Sequence, residues 1–172
     1  MTKLLCVLPV IVVCFTTACA QAGDIVGRAS VIDGDTIEIA GERIRLNGID
    51  APESRQLCED GAFSAYRCGQ RAALALADWL DQAQPIKCKQ IDKDRYSRIV
   101  ATCERAGADV GEWLVRAGHA LDWPRYSNGR YAAAQADARA HSRGIWRGRF
   151  DLPWEWRKEN RRTDLPGALL EY

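Results

Sequence analysis

The sequence predicts an α+β fold that is mainly β: a small five-stranded barrel with three helices packed beside it. Three observations predict it. Five short segments carry the apolar alternation or the β-branched run of a strand. Helix-spaced segments closed by Gly or Pro are interspersed among them. A length of 172 residues with 47% hydrophobic content suits one domain with some trimmings.

Ile25–Ile32 is the first expected strand, ended by the Asp33-Gly34 turn. Thr36–Ala40 follows, its Ile37 and Ile39 alternating with Thr36 and Glu38. Ala40-Gly41 then turns the chain into Glu42–Ile49, where Ile44 and Leu46 share one face and Arg43 and Arg45 the other. A loop runs from Asp50-Ala51-Pro52-Glu53 to Cys68. An alanine-rich helix over Gly69–Gln82 comes next, with Leu76, Trp79 and Leu80 at helical spacing and Pro85 closing it. Ile86–Ile91 and Ile99–Glu104 form a hairpin about the charged turn Asp92–Ser97. Asp109, with Glu112 three residues on, caps a short helix that Gly118 stops. Gly129–Arg143 reads as the third helix, stopped by Gly144. This pattern of elements is that of an oligonucleotide/oligosaccharide-binding (OB) barrel. No repeat or low-complexity tract interrupts it.

Residues 1–22 read as a signal peptide: Lys3 is their only charge, Leu4–Phe15 is apolar, and Ala20-Gln21-Ala22 presents small residues for cleavage. The apolar run falls short of the roughly 20 residues that span a bilayer. Cys19 offers a lipidated alternative, but the threonines before it make a poor lipobox. The expected layout is therefore a signal peptide over 1–22, the barrel domain over 23–150 and a Trp-containing basic tail over 151–172, in an exported protein, periplasmic or secreted. Without Lys3 the chain holds 23 basic and 23 acidic side chains, so affinity for nucleic acid must come from a local patch.

Four of the seven cysteines follow the leader: Cys58, Cys68, Cys88 and Cys103. An even number in an exported chain points to two disulfides, with three connectivities open. Zinc binding is the competing reading, but there is no C-x-x-C, and His119 and His141 stand at no ligand spacing. Cys88 and Cys103 lie at similar distances on either side of the hairpin turn, which is expected to place them opposite each other across the ladder.

The stretch "VIDGDTIEIAGERIRLNGIDAPES" packs six carboxylates and two arginines among strand isoleucines. Half-buried charges are costly unless they are paired or bind a metal. Asp35 begins one strand and Asp50 ends another, so neighbouring strands bring both to one end of the barrel. Two carboxylates, a backbone carbonyl and waters make an oxygen site suited to Ca²⁺. Taken singly, each acid reads first as turn chemistry, and each arginine can be a surface ion pair. Together, Arg45 and Arg98 have the planar forks that stabilise a phosphodiester's equatorial oxygens, and Glu53 can deprotonate water.

The motifs "VIDGDTIEI…RIRLNGIDAPE", "DKDRYSRIVA" and "DVGEWLVRAGHA" resemble, in this order, the staphylococcal nuclease (thermonuclease) family from about Ile25 to Trp146. The resemblance implies that family's five-stranded OB barrel with three helices. It implies calcium-dependent hydrolysis of DNA and RNA to 3′-phosphates by a monomer that needs no stable protein partner. By position, Asp35 and Asp50 match the calcium carboxylates, and Ala51 stands where a threonine lends its carbonyl. Asp33 matches an acid near the metal's waters. Arg45 and Arg98 match the phosphate-binding arginines and Glu53 the general base. Asp94, Arg95 and Tyr96 match the nucleotide-contacting loop, where Tyr96 stacks on a base and Arg95 holds a terminal phosphate. Ser97 replaces a glycine common there. For a further nucleotide-contacting tyrosine, "LDWPRY" offers both Trp123 and Tyr126.

A Cys58–Cys68 bridge is expected to pin the loop leaving Glu53. Trp154 and Trp156 are expected as core anchors, followed by a solvated basic tail. The alternative to a nuclease is a non-catalytic barrel binding oligonucleotide or oligosaccharide in the cell envelope. Such a module needs neither Glu53 nor the acid pair.

Overall fold

In the computed structural model, residues 24–163 are described; the expected signal peptide and the end of the tail lie outside them. The barrel strands are β1 (Ile25–Gly27), β2 (Ala29–Asp33), β3 (Thr36–Ile39) and β4 (Glu42–Leu46). Short strands β5 (Ile49–Asp50), β6 (Leu57–Glu59) and β7 (Ala65–Arg67) lead to helix α1 (Cys68–Asp81). The hairpin β8 (Ile86–Lys93) and β9 (Ile99–Arg105) follows, then β10 (Ala108–Asp109) and α2 (Val110–Arg116). β11 (Leu121–Asp122), α3 (Pro124–Ser127), α4 (Ala132–Ala140) and α5 (Pro153–Thr163) are the last of the described elements, with a 3₁₀ turn over Gly144–Arg147 between α4 and α5.

The main sheet runs β1-β8-β9-β4-β3-β2, with β10 added to β9. Its two ends, β1 and β2, are separated only by Arg28. The strand expected as continuous over Ile25–Ile32 is thus broken, because the chain passes there from one edge of the sheet to the other and closes the barrel. β4 and β9 pair in parallel, with Arg45 beside Val100, and α1 lies in the crossover between them.

Alternation decides which residues fill this barrel. Ile37, Ile39, Ile44 and Leu46 are at most 2% exposed, while Arg43 and Arg45 leave by the other face. α1 covers the barrel with Leu76 and Leu80, and its Trp79 stacks on Trp113 of α2 at 4.5 Å. Each such aliphatic side chain removed from water stabilises the fold by about 1.5–3 kcal/mol. Cys88 faces Cys103 in the β8–β9 register and the two form a disulfide. Asp109 caps α2, its side chain accepting from the Glu112 amide at 2.9 Å, and Gly118 follows at φ +73°.

Two further expectations change. The helix expected over Gly129–Arg143 is shorter: Asn128 and Gly129 both have positive φ and close a turn, so α4 starts only at Ala132. The described part of the tail, residues 151–163, does not trail in solvent. Leu152 carbonyl oxygen accepts from the Glu155 and Trp156 amides, α5 starts at Pro153, and Trp154 packs on a second core of Cys58, Cys68, Leu121 and Ile145.

Candidate active site

Strand geometry sets the centre of the site. Ile44 and Leu46 commit one face of β4 to the core, so Arg45 must leave by the other, opposite Thr36 of β3. Its guanidinium donates to Asp35 Oδ1 from Nη1 and to Asp50 Oδ1 from Nη2, each at 2.8 Å. One planar fork thereby joins acids from the start of β3 and the end of β5. Asp35 also accepts from the Thr36 hydroxyl at 3.2 Å and, on Oδ2, from the Ala51 amide at 3.1 Å. Asp33 holds the turn by accepting from the Asp35 amide at 3.1 Å.

Asp35 is 4% exposed and Asp50 fully buried. Burial pushes the Asp35 carboxyl up to about 7; Arg45 pulls it down only in part, and the charges of Asp33 and Asp50 raise it further. Burial works against the charged Arg45, yet Asp35 and Asp50 hold its guanidinium above its ordinary value. At Asp35, burial therefore outweighs the attraction of the neighbouring guanidinium.

Glu53 follows on the loop leaving β5, and three features fix that loop. A Cβ at Gly69 would stand 2.1 Å from the Glu53 carbonyl oxygen, so only glycine lets the loop pack on the start of α1. The Cys58–Cys68 disulfide, with Cα atoms 5.6 Å apart, ties β6 to the same helix start. Gln56, fully buried between them, accepts from the Glu53 amide at 3.2 Å and donates to the Asp151 carbonyl at 2.6 Å. Its own carbonyl accepts from the Cys68 amide.

The β8–β9 turn presents Arg98. Asp94 accepts from Arg98 Nε at 2.7 Å and from the Tyr96 and Arg98 amides. Burial opposes its charge, but these hydrogen bonds prevail and hold the carboxyl below its ordinary value. Arg95 and Arg98 stand 4.8 and 5.7 Å from the ring of Tyr96, which is 65% exposed. Ser97 has a φ of +62°, so the serine takes the left-handed conformation that the family's glycine would adopt freely.

α5 adds an arginine that the sequence reading left in a solvated tail. Arg157 donates to Asp50 Oδ2 from Nη2 at 2.7 Å, and from Nη1 to Asp50 Oδ1 at 3.1 Å and Glu53 Oε1 at 2.8 Å. Burial opposes its charge, but the bonds to Asp50 and Glu53 outweigh it and hold the guanidinium above its ordinary value. The signal for this residue was the spacing Trp154, Arg157, Arg161, one face of a helix opened by Pro153. Nothing in the local sequence marks Gln56.

One cleft of about 970 Å³ is lined by Asp33, Asp35, Arg45, Ala51, Glu53, Arg95, Tyr96 and Arg98, while the fully buried Asp50 and Gln56 are not part of its lining. Trp123, Tyr126, Trp156 and Arg157 line it too. The structure thus joins Asp35, Asp50, Arg45 and Glu53 in one ion-paired cluster, the link to Glu53 running through Arg157. Arg95, Tyr96 and Arg98 face the same cleft, but Arg98 is engaged by Asp94. Trp123 and Tyr126, both offered by the sequence, contact each other edge-on at 4.6 Å. Trp154 anchors α5 by stacking on Trp123 at 6.1 Å, whereas Trp156 is a cleft wall rather than a core anchor.

Among the described residues no group of three or more acidic, histidine or cysteine side chains is arranged to hold a metal ion. The donors at Asp35, Asp50 and the Ala51 carbonyl are all oxygen, which fits a hard divalent cation that keeps several waters; in this structure Arg45 and Arg157 neutralise the two acids.

A sequence model of the family described as "Staphylococcal nuclease homologue" matches residues 43–148, more than half of the chain. The chain belongs to the staphylococcal nuclease family. This staphylococcal nuclease homologue is 50% identical over 127 residues to "Succinoglycan biosynthesis protein ExoI" of Rhizobium meliloti (strain 1021), covering 73% of this chain and 66% of that protein. It is 33% identical over 142 residues to an "Uncharacterized endonuclease" of Escherichia coli, covering 78% and 86%. It is 29% identical over 148 residues to "Micrococcal nuclease" of Shigella flexneri, covering 76% and 79%. Arg157 lies beyond the residues the family model matches.

Proposed function

We propose that this staphylococcal nuclease homologue is a calcium-dependent phosphodiesterase that hydrolyses DNA and RNA to 3′-phosphate products. The observation that carries this reading is the Asp35–Arg45–Asp50–Glu53 cluster at the cleft that also presents Arg98 and Tyr96. A binding module has no need of a buried acid pair beside a half-exposed glutamate.

Asp35, Asp50 and the Ala51 carbonyl would hold the calcium, with Asp33 beside its waters; the ion when bound supplies charge neutralisation for an anionic ester. Arg45, its fork fixed by the two acids, meets one face of the phosphate. Arg98 meets the other after leaving Asp94. The two guanidiniums stabilise the charge that gathers on the equatorial oxygens during in-line attack. Glu53 accepts the proton of the attacking water, and the Gln56 and Gly69 contacts keep it at the cleft edge. Tyr96 stacks on a base and Arg95 holds a neighbouring phosphate. The two disulfides fit an oxidising compartment, and no helix among the described residues is long and apolar enough to cross a membrane. The disulfides support export; removal of the leader near Ala22 and action as a monomer are part of the same proposal.

The test is cleavage of single-stranded DNA and RNA by oxidised protein in Ca²⁺ or EGTA, beside Glu53→Gln. Calcium-dependent cleavage that falls at least about 100-fold in the variant is expected. The name of the 50%-identical relative, a succinoglycan biosynthesis protein, favours a second reading: a barrel that binds an oligosaccharide or polysaccharide without cutting it. Absence of cleavage under any metal, together with polysaccharide binding, would establish that alternative.

A further inference from the structure

The residue that makes most contact with the acid cluster lies outside the family match. Arg157 engages both oxygens of Asp50 and one of Glu53, while Arg45 takes Asp35 and shares Asp50. Asp50 is fully buried and both of its carboxylate oxygens are already covered by guanidinium N–H groups. A cation seeking Asp50 must therefore share or displace an arginine that the chain itself supplies.

The placement of Arg157 is built in. α5 is held by the stack of Trp154 on Trp123 and by the Gln56–Asp151 hydrogen bond just before it. The Arg157 guanidinium lies 5.9 Å from the Trp123 ring, and that of Arg45 lies 6.0 Å from the same ring. Two like charges thus flank one indole and converge on one carboxylate.

We propose that Arg157 is a third arginine of this site, a tethered cation that competes with a divalent metal for Asp50 and strengthens the cleft's hold on a phosphodiester. Its two effects have opposite signs. It makes the acid cluster one charge unit more positive whether or not a metal is bound. Metal binding is weakened, because a like charge already occupies the carboxylate. Attraction of an anionic ester into the loaded site is strengthened for the same reason. The phosphodiester arm rests on the nuclease reading; the metal arm does not require that the chain cut anything.

The experiment is isothermal titration of the full, oxidised chain with Ca²⁺ alone, comparing wild type, Arg157→Gln and Arg157→Lys. A phosphorothioate oligonucleotide is then titrated at saturating Ca²⁺. For R157Q the Ca²⁺ Kd should fall on the order of tenfold while the oligonucleotide Kd rises at least about fivefold. A lysine head cannot fork across Asp50 and Glu53, so R157K should tighten Ca²⁺ binding about threefold. If R157Q does not fold, R157K decides the metal arm. Unchanged or weaker Ca²⁺ binding in the variants overturns the proposal and makes Arg157 a structural partner of the acids. Calcium binding absent from every variant overturns it together with the calcium site. Tighter Ca²⁺ without cleavage by wild type leaves the competition standing and removes the nuclease reading.

Discussion

Gln56→Leu tests how the general base is held in place. The side chain is fully buried, its oxygen accepting from the Glu53 amide and its nitrogen donating to the Asp151 carbonyl. Leucine has nearly the same volume, so the cavity contribution is small, and the loss is that of two polar groups deprived of partners. Each costs about 1–3 kcal/mol when buried, and the half-exposed Glu53 loop recovers part of its share through water. The expected destabilisation is about 2–4 kcal/mol, a fall in Tm on the order of 10 °C for a domain of this size. Urea unfolding followed by tryptophan fluorescence reads it, since Trp154 stacks on Trp123. In cleavage assays kcat should drop about tenfold with KM little changed, because Glu53 loosens while the arginines stay. Gln56→Glu separates the two bonds: it keeps an acceptor for the Glu53 amide but faces the Asp151 carbonyl with a second acceptor. That variant should destabilise the C-terminal segment more than it slows catalysis. A Q56L protein within about 0.5 kcal/mol of wild type, with undiminished kcat, would refute the coupling.

Four further outcomes follow from the same geometry. The Cys58→Ser/Cys68→Ser double variant should lose about 2–3 kcal/mol by the loop-closure model, with a lower kcat; unchanged values in both assays would show that the bridge does not hold the Glu53 loop. Asp35 has a folded-state pKa of about 7 against 3.8 for the ordinary carboxyl, so metal-free protein binds the proton more tightly folded than unfolded. Its stabilising share is complete below about pH 4 and is lost as pH rises to 7, by at most about 1.4 kcal/mol per pH unit, a slope that Asp35→Asn should abolish in pH-dependent urea melts. Ser97→Gly should raise stability by about 1 kcal/mol, since glycine adopts a φ of +62° without the steric cost borne by serine; an unchanged or lower Tm would contradict the strain. Gly69→Ala should displace the Glu53 backbone and reduce cleavage by about tenfold or more, because its Cβ meets the Glu53 carbonyl oxygen at 2.1 Å.

Much of the site is legible in the chain because its signals are local. Ile44, Arg45 and Leu46 alternate, and alternation alone sends Arg45 away from the core. Asp33-Gly34 and Asp50-Ala51-Pro52 mark strand ends, which is where a barrel opens. Cys88 and Cys103 flank one turn on the two strands it joins, and the ladder brings them face to face. Each inference needs only the strand period or the position of a turn. Arg98 and Glu53 were offered by the chemistry of phosphodiester hydrolysis and Tyr96 by the resemblance, and all three line one cleft.

What the sequence by itself determined, then, is the barrel and the inventory of charges on its open end. The tertiary structure decided who holds whom. Arg157 lies more than a hundred residues from Asp50, and its composition matched a solvated tail as well as a docked helix. Only the landing of Trp154 on Trp123 aims it at the acids. Gln56 is likewise invisible locally, because its importance comes from three chain segments that meet only after folding. Local propensity specifies periods and turns, whereas the pairing of buried charges depends on packing between segments far apart in the chain.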